Sequence, residues 1–203
     1  MKIVQLNDSQ ITPNKIICIG RNYVAHIAEL DNEVPDEMVI FLKPNSAISH
    51  KLSACHQETL HYEAELCFIY QQGRFSAVGF GLDLTKRGLQ SKLKVKGLPW
   101  ERAKAFNGSA IFSDFVSINN IDSSLSLELK IDGEIIQSGG VALMMYKPDE
   151  ILKEILTFMD LQDGDIVMTG TPKGVGVIHS GSCFEGRILN KEVELVKKCW
   201  IAV

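Results

Sequence analysis

The chain has 203 residues, of which 45% are hydrophobic and 23% are charged, with a formal net charge of −4 and a pI of about 5.7. This balance predicts one globular domain over residues 1–203 with a sizeable core. A mildly acidic chain gives no support for binding to nucleic acid or to an anionic membrane, and no apolar run is long enough to cross a bilayer. The five cysteines form no Cys-x-x-Cys pair and the start lacks a signal-peptide core. These features predict a cytoplasmic protein without a disulfide framework or a structural zinc site.

Strand signals dominate the chain. Short β-branched or alternating apolar runs predict strands at residues 15–19, 38–42, 60–70, 78–84, 125–131, 134–137, 165–169 and 193–196. Asp132-Gly133 lies between two of these runs and is a strong signal for a tight hairpin. Helices are predicted at residues 23–30, 85–94 and 147–159, with Thr85 as the cap of the second and Pro148 at the start of the third. This order predicts an α+β, β-rich fold with antiparallel strands and a few short helices.

The strand at 60–70 carries an acidic face. Strict alternation places His61, Glu63 and Glu65 on one face and apolar residues on the other, with the two Glu residues roughly 7 Å apart. Two like charges this close repel each other, and a divalent cation with oxygen ligands is the simplest way to neutralise them. Asp83 could supply a third carboxylate if its strand is the neighbouring one. The alternative is an ordinary half-exposed strand with one charged face.

Three other features could carry chemistry. His26 and Glu29 lie three residues apart on a predicted helix, which allows the carboxylate to orient the imidazole as a general base; the alternative is a modest surface pair. Lys104 has small and apolar neighbours, which predicts partial burial, although a lysine on an exposed helix could also reach solvent. Residues 169–176 form a glycine-containing turn after a strand that could admit an anion, or could simply be flexible. The basic stretch 92–96 is interpreted as a solvated helix face.

Taken together, these segments resemble the fumarylacetoacetate hydrolase family, in particular its short single-domain members that act on acylpyruvates or oxaloacetate. The matching segments occur in family order: Ile19-Gly20-Arg21-Asn22-Tyr23 with His26 and Glu29, Phe41-Leu42-Lys43-Pro44, Glu63-Ala64-Glu65, Asp83 with Thr85, Arg87 and Gln90, Lys96-Gly97-Leu98-Pro99-Trp100 with Ala103-Lys104-Ala105-Phe106, and residues 169–176.

The resemblance implies a mixed β-roll or β-sandwich catalytic domain and a homodimer. It implies a Mg²⁺ or Mn²⁺ ion held by one set of residues, the metal set. Two further sets of residues, the catalytic set and the substrate-binding set, would surround the ion. The metal set is Glu63, Glu65 and Asp83; the catalytic set is His26, Glu29 and Lys104; the substrate-binding set is Arg21, Gln90, Gly170 and Thr171. The chain departs from the family at residues 138–145, where many relatives carry a Thr-Arg-Asp-like polar stretch. This departure puts the distal substrate contacts in doubt.

The function implied is metal-dependent hydrolysis of a C–C bond in acylpyruvate-type 2,4-dioxo acids, with oxaloacetate decarboxylation as a related activity. Both reactions develop an enolate on a small 2-oxo acid, which a metal ion and the Lys104 ammonium would stabilise. An isomerase or decarboxylase of 2-hydroxyhepta-2,4-diene-1,7-dioate is the enzymatic alternative. A non-catalytic module with a structural metal site is the third interpretation. It leaves Lys104 and the His26–Glu29 pair without a role.

Overall fold

A computed structural model describes residues 1–29 and 35–203, so residue 30, the predicted end of the first helix, lies outside the described residues. The strands are β1 Val4–Leu6, β2 Ser9–Ile11, β3 Lys15–Gly20, β4 Val39–Pro44, β5 Ile48–Ser49, β6 Cys55–His56, β7 Glu58–Thr59, β8 His61–Tyr62, β9 Ala64–Gln71, β10 Arg74–Asp83, β11 Ala110–Phe112, β12 Val116–Ser117, β13 Leu125–Ile131, β14 Glu134–Gly140, β15 Ile166–Met168, β16 Gly176–Val177, β17 Cys183–Asn190 and β18 Val193–Ile201. The helices are α1 Val24–Glu29, α2 Arg87–Val95, α3 Glu101–Lys104 and α4 Pro148–Ile155.

The acidic strand lies in the middle of a mixed eight-stranded sheet. The strand order is β4-β3-β15-β9-β10-β11-β5, with β12 also paired to β10. Leu66 and Phe68 of β9 face one hydrophobic core, whereas Cys67 and Ile69 face a second core on the opposite side of the sheet. Both faces of this strand are therefore covered, and the half-exposed alternative is wrong because helices, loops and a second sheet cover the two sides.

The second sheet is antiparallel, with the order β14-β13-β17-β18, and it packs on the first through aromatic side chains. Phe80 of β10 lies 6.0 Å from Trp200 of β18 between ring centroids, and Phe184 of β17 joins the same core. The hairpin between β13 and β14 turns at Asp132 and Gly133, whose φ angles of 51° and 92° suit the predicted tight turn. The two packed sheets and the few short helices of the described residues confirm the predicted α+β, β-rich fold.

Three local predictions need correction. The strand predicted at 60–70 is interrupted at Glu63, which lies between β8 and β9. Strand β17 was not predicted, because its sequence mixes charged and small residues with only intermittent apolar ones. Thr85 does not cap α2 through its side chain, since the helix begins after Lys86 and the Thr85 hydroxyl instead accepts a hydrogen bond from Lys104. No helix within residues 1–29 and 35–203 has both the length and the hydropathy to span a membrane.

Candidate active site

Three carboxylates converge where β9 and β10 pair. Asp83, the last residue of β10, donates its backbone N–H to the Glu63 carbonyl at 2.8 Å, and Glu65 pairs with Gly81 of the same strand. One oxygen from each of Glu63, Glu65 and Asp83 lies within 4.8 Å of the other two. The three residues are only 7%, 2% and 1% exposed. Among the described residues, His61 does not join this group, because the break at Glu63 separates it from the cluster.

Two buried lysines and a partly exposed arginine surround two of these carboxylates. Lys104 Nζ lies 2.9 Å from Glu63 Oε2 and 2.7 Å from Asp83 Oδ2, and it donates a third hydrogen bond to Thr85 Oγ1 at 2.7 Å. Lys43 Nζ lies 2.8 Å from Asp83 Oδ1, and Arg87 Nη2 lies 2.5 Å from Glu63 Oε1. The partial burial predicted for Lys104 is in fact nearly complete, and the ammonium is paired rather than directed to solvent.

The cations act unequally on the carboxylates. Although burial raises it, the pKa of Glu63 is held well below its usual range by the charges of Lys104 and Arg87. Burial, followed by the charges of Asp83 and Glu63, raises the pKa of Glu65 well above its usual value. Burial lowers the pKa of Lys104, but the charges of Asp83 and Glu63 outweigh it and the net shift is upward. Glu65 is therefore the carboxylate of the cluster whose ionised form is least favoured in the absence of a further cation.

The donor set fits a hard divalent cation. Glu65 Oε2 accepts the Gly170 backbone N–H at 2.7 Å, and within the described ranges Glu65 makes no ion pair with a cationic side chain. Oxygen-only ligands of this charge and spacing are those that Mg²⁺ and Mn²⁺ prefer. Three carboxylates leave further coordination positions for water or a ligand, unlike a site that the protein saturates. The geometry can therefore hold one divalent ion with positions open to a small molecule.

Helix α1 brings the predicted His–Glu pair to the same cavity. His26 Nδ1 lies 3.2 Å from Glu29 Oε2, and the buried imidazole lines the cavity that contains the carboxylates. Glu29 Oε1 accepts the backbone N–H of Gly174 at 2.9 Å, which links the helix to residues 169–176. The carboxylate therefore fixes both the imidazole and the turn, as an orienting partner of a general base would do.

Gln137, which carries no prediction of its own, fixes the turn at 169–176 through side-chain hydrogen bonds. Its side-chain nitrogen donates to Thr171 Oγ1 at 2.9 Å and to the Pro172 carbonyl at 2.7 Å, while its oxygen accepts the Ala64 N–H at 3.0 Å. Gly170 has a φ of 93°, and a Cβ there would lie 2.9 Å from the Asn22 Cβ. Glycine is therefore required for this turn to approach Glu65 so closely.

The outer wall of the cavity is cationic and aromatic. Arg21, Gln90 and Thr171 line it as predicted, and Arg87 Nη1 donates to Gln90 Oε1 at 2.8 Å. Lys94 also lines it, with Nζ 5.1 Å from the centre of the Trp100 ring. Burial, and then the charges of Arg21 and Arg87, lower the pKa of Lys94 to about 8.

The structure thus brings all ten predicted site residues into one region, although their roles remain predictions. Eight of them line the cavity, Glu29 binds His26, and Gly170 binds Glu65 through its backbone. The interpretation of residues 92–96 as a solvated face is wrong at Lys94, which is half-buried beside Trp100, whereas Lys92 and Lys96 are exposed. Lys43 and Gln137 were missed as individual residues; a lysine at the end of an apolar strand and a polar residue before two glycines are the only sequence signals for them.

Comparisons with known proteins agree with this geometry. A family model described as the fumarylacetoacetate (FAA) hydrolase C-terminal matches residues 15–198. An oxaloacetate tautomerase of Schizosaccharomyces pombe, named as mitochondrial, is 35% identical over 203 residues, covering 90% of this chain and 92% of the relative. The Escherichia coli oxaloacetate tautomerase YcgM is 35% identical over 202 residues, covering 89% and 92%. A crystal structure of fumarylpyruvate hydrolase from Pseudomonas aeruginosa, in complex with Mn²⁺ and pyruvate, is similar with a TM-score of 0.88 at 28% identity, over 100% of this chain and 95% of that chain.

Proposed function

The chain belongs to the fumarylacetoacetate hydrolase family, and we propose that residues 1–203 form one catalytic domain that interconverts the keto and enol forms of oxaloacetate with Mg²⁺ or Mn²⁺. The observation that carries the proposal is the buried cluster of Glu63, Glu65 and Asp83 in a cavity that also holds His26. The names of the two relatives with 35% identity favour tautomerisation over the predicted hydrolysis as the main activity.

The chemistry of this site suits a 2-oxo acid. When bound by the three carboxylates, a divalent ion supplies Lewis-acid polarisation of the 2-oxo oxygen. The protein's part is then to bind the carboxylates of the substrate, to exclude water and to carry a proton to and from C3. His26, oriented by Glu29 and placed in the cavity, is the side chain suited to carrying that proton. The Lys104 ammonium adds positive charge where the enolate develops.

The His26–Glu29 pair does not by itself separate tautomerisation from hydrolysis. An isomerase has no water to activate, which by itself would assign the pair to hydrolysis, but a tautomerase also needs a proton carrier at C3. Hydrolysis of acylpyruvates is kept as the second candidate, because the fumarylpyruvate hydrolase named above shares the fold and binds Mn²⁺ and pyruvate. Decarboxylation of oxaloacetate breaks the C3–C4 bond and leaves the pyruvate enolate that acylpyruvate hydrolysis also forms, whereas tautomerisation removes a proton from C3 and forms the enolate of oxaloacetate itself.

The deciding experiment follows the loss of enol absorbance from oxaloacetate and, in parallel, the loss of acetylpyruvate absorbance. Each is measured with Mg²⁺, with Mn²⁺ and with EDTA, and with each metal in the absence of protein. We expect metal-dependent tautomerisation of oxaloacetate that exceeds acetylpyruvate cleavage, and loss of both in Glu65→Ala, with metal binding lost by calorimetry. Lys92→Met is the matched control, since Lys92 is exposed on α2. Cleavage of acetylpyruvate without tautomerisation would establish the second candidate, and EDTA-resistant activity would contradict the metal site.

We further propose that the chain forms a homodimer and acts in a reducing, cytoplasmic compartment. Its support is the family resemblance, together with five cysteines that are all free thiols. Light scattering of the purified chain tests the dimer, for which a mass of about twice 22.5 kDa is expected. Fractionation of cells that express the chain with a terminal tag tests the compartment, because the S. pombe relative is named as mitochondrial.

A further inference from the structure

Helix α2 presents three polar side chains to the cavity in a row. Arg87, Gln90 and Lys94 are separated by three and four residues, so they share one face of the helix. Arg87 binds Glu63 at the inner end of this row, and Gln90 is bonded to Arg87. At about 1.5 Å of rise per residue, Lys94 begins about 10 Å farther along the axis than Arg87. The row therefore runs from the carboxylate cluster outward.

Lys94 differs in its partners from the three cations that pair with the carboxylate cluster. Lys43, Arg87 and Lys104 each form an ion pair with a carboxylate of the cluster. Among the described side chains, Lys94 makes a cation–π contact with Trp100, and no hydrogen bond or ion pair with a protein acceptor is found for it. Cation–π contacts hold a partly exposed ammonium weakly and leave its N–H donors able to bind an anion.

The direction of the side chain brings this ammonium back toward the reaction centre. Side chains of an α-helix lean toward its N-terminus and cover the preceding turn, so Lys94 reaches over the turn that contains Gln90. Trp100 and Phe41, whose ring centroids are 5.9 Å apart, form the apolar wall beside it. A small acid whose 2-oxo acid end occupies the carboxylate cluster would therefore direct its far end at Lys94.

We propose that Lys94 is a specificity-determining residue that binds the second carboxylate of a dicarboxylic 2-oxo acid. The inference rests on the proposed function, because it assumes that the 2-oxo acid end binds at Glu63, Glu65 and Asp83. It assigns to α2 the selection of dicarboxylates over monocarboxylates. It also supplies a distal contact for a chain that lacks the usual polar stretch at residues 138–145.

The test uses equilibrium binding as well as turnover. Calorimetry of the Mn²⁺-loaded protein compares pyruvate, which has one carboxylate, with 2-oxoglutarate, which has a second and does not decarboxylate during the measurement. We expect Lys94→Met to weaken 2-oxoglutarate binding by about 10–100-fold, the range for one charge-assisted hydrogen bond, and to leave pyruvate binding unchanged. Lys94→Arg should restore most of the loss, and Lys92→Met should bind both ligands like the natural chain. In turnover, Lys94→Met should raise the KM for oxaloacetate far more than it lowers kcat.

The outcomes separate this inference from the proposed function. Equal weakening of pyruvate and 2-oxoglutarate in Lys94→Met, or no effect on either, overturns the role of Lys94 even if oxaloacetate is tautomerised. Preferential loss of 2-oxoglutarate binding in a protein that does not tautomerise oxaloacetate supports the role and rejects the proposed reaction. If the natural chain binds neither acid in the presence of Mn²⁺, both are wrong.

Discussion

At the scale of single residues, the site depends on one ammonium shared among several acceptors. Lys104 donates to Glu63, Asp83 and Thr85, so its three N–H groups are all used within the cluster. In the proposed reaction this ammonium would therefore act through its charge and through the positions of two proposed metal ligands.

Lys104→Met removes the charge and keeps most of the side-chain volume. We expect kcat to fall by about 10²–10³-fold, the range for loss of one preorganised electrostatic contact, because the enolate exists only along the reaction path. The Kd of the divalent ion should be retained or tightened, since the three carboxylates remain. Steady-state kinetics and calorimetry check both statements. A near-normal kcat would show that the charge has no part in the reaction.

His26 is the second test at this scale. General-base catalysis contributes about 10²–10⁴-fold, so His26→Ala should slow acylpyruvate cleavage by a factor in that range. Decarboxylation of oxaloacetate should lose less, because departure of CO₂ requires no activated water. Glu29→Gln should reproduce a weaker form of the defect, since the glutamine can still accept the Gly174 N–H. In His26→Ala, tautomerisation of oxaloacetate should fall by a similar factor, because His26 is the proposed proton carrier at C3. An unchanged rate of tautomerisation would reject that role, and an equal loss of decarboxylation would indicate that His26 only orders the cavity.

At the scale of elements, the sequence predicted most of what local pattern controls. Alternation in residues 60–70 indicated the strand, and antiparallel pairing with the Asp83 strand brought the third carboxylate to it. The same pattern could not show that β9 is central and covered on both faces, because its neighbour β15 and the second sheet are distant in sequence. Lys43 and Gln137 were not predicted as individual site residues for the same reason. Lys43 becomes important only through Asp83, 40 residues away in sequence. Gln137 becomes important through Thr171, which is 34 residues away.

The packing of the two sheets gives a prediction at this scale. A Cβ on Gly186 of β17 would lie 2.4 Å from the Phe80 ring of β10, in the core between the sheets. Gly186→Ala should therefore lower the free energy of unfolding by about 1–3 kcal/mol, the usual cost of overpacking. Gly88→Ala is the control, because its nearest neighbour would be 3.6 Å away and alanine favours a helix. Urea denaturation of both variants and of the natural chain measures the free energies of unfolding. If Gly186→Ala is as stable as the natural chain, the two sheets can move apart at this point at little cost.

At the scale of the whole molecule, one of the three buried carboxylates lacks a compensating charge, because Glu63 and Asp83 pair with Lys43, Arg87 and Lys104 whereas Glu65 makes no ion pair within the described residues. Glu63, Glu65 and Asp83 are buried together, and Glu65 has only a backbone N–H as a recorded donor among the described residues. Burial of like charges costs stability unless a cation compensates them. The folded chain should therefore be less stable without a divalent ion than its packing alone would make it.

This cost predicts that the order of thermal stability between the natural chain and Glu65→Gln reverses when a divalent metal replaces EDTA. A ligand that binds only the folded state stabilises it by about 2.7 kcal/mol at a hundredfold excess over Kd, which raises the Tm of a chain of this size by about 5–10 °C. We expect this shift for the natural chain when Mg²⁺ or Mn²⁺ replaces EDTA. Glu65→Gln removes the carboxyl group whose ionised form the buried site disfavours and keeps an oxygen to accept the Gly170 N–H, so in EDTA it should melt at a higher temperature than the natural chain. With the metal present it should melt at the lower temperature, because it has lost a ligand.

Thermal unfolding followed by circular dichroism, with and without EDTA, measures both orders. Glu194→Gln is the matched control, since Glu194 is an exposed residue of β18 that pairs with Arg187 in the second sheet. Its Tm should differ from that of the natural chain by the same small amount under both conditions. If Glu65→Gln gains as much from the metal as the natural chain does, Glu65 is not a ligand and the three carboxylates do not act as one site.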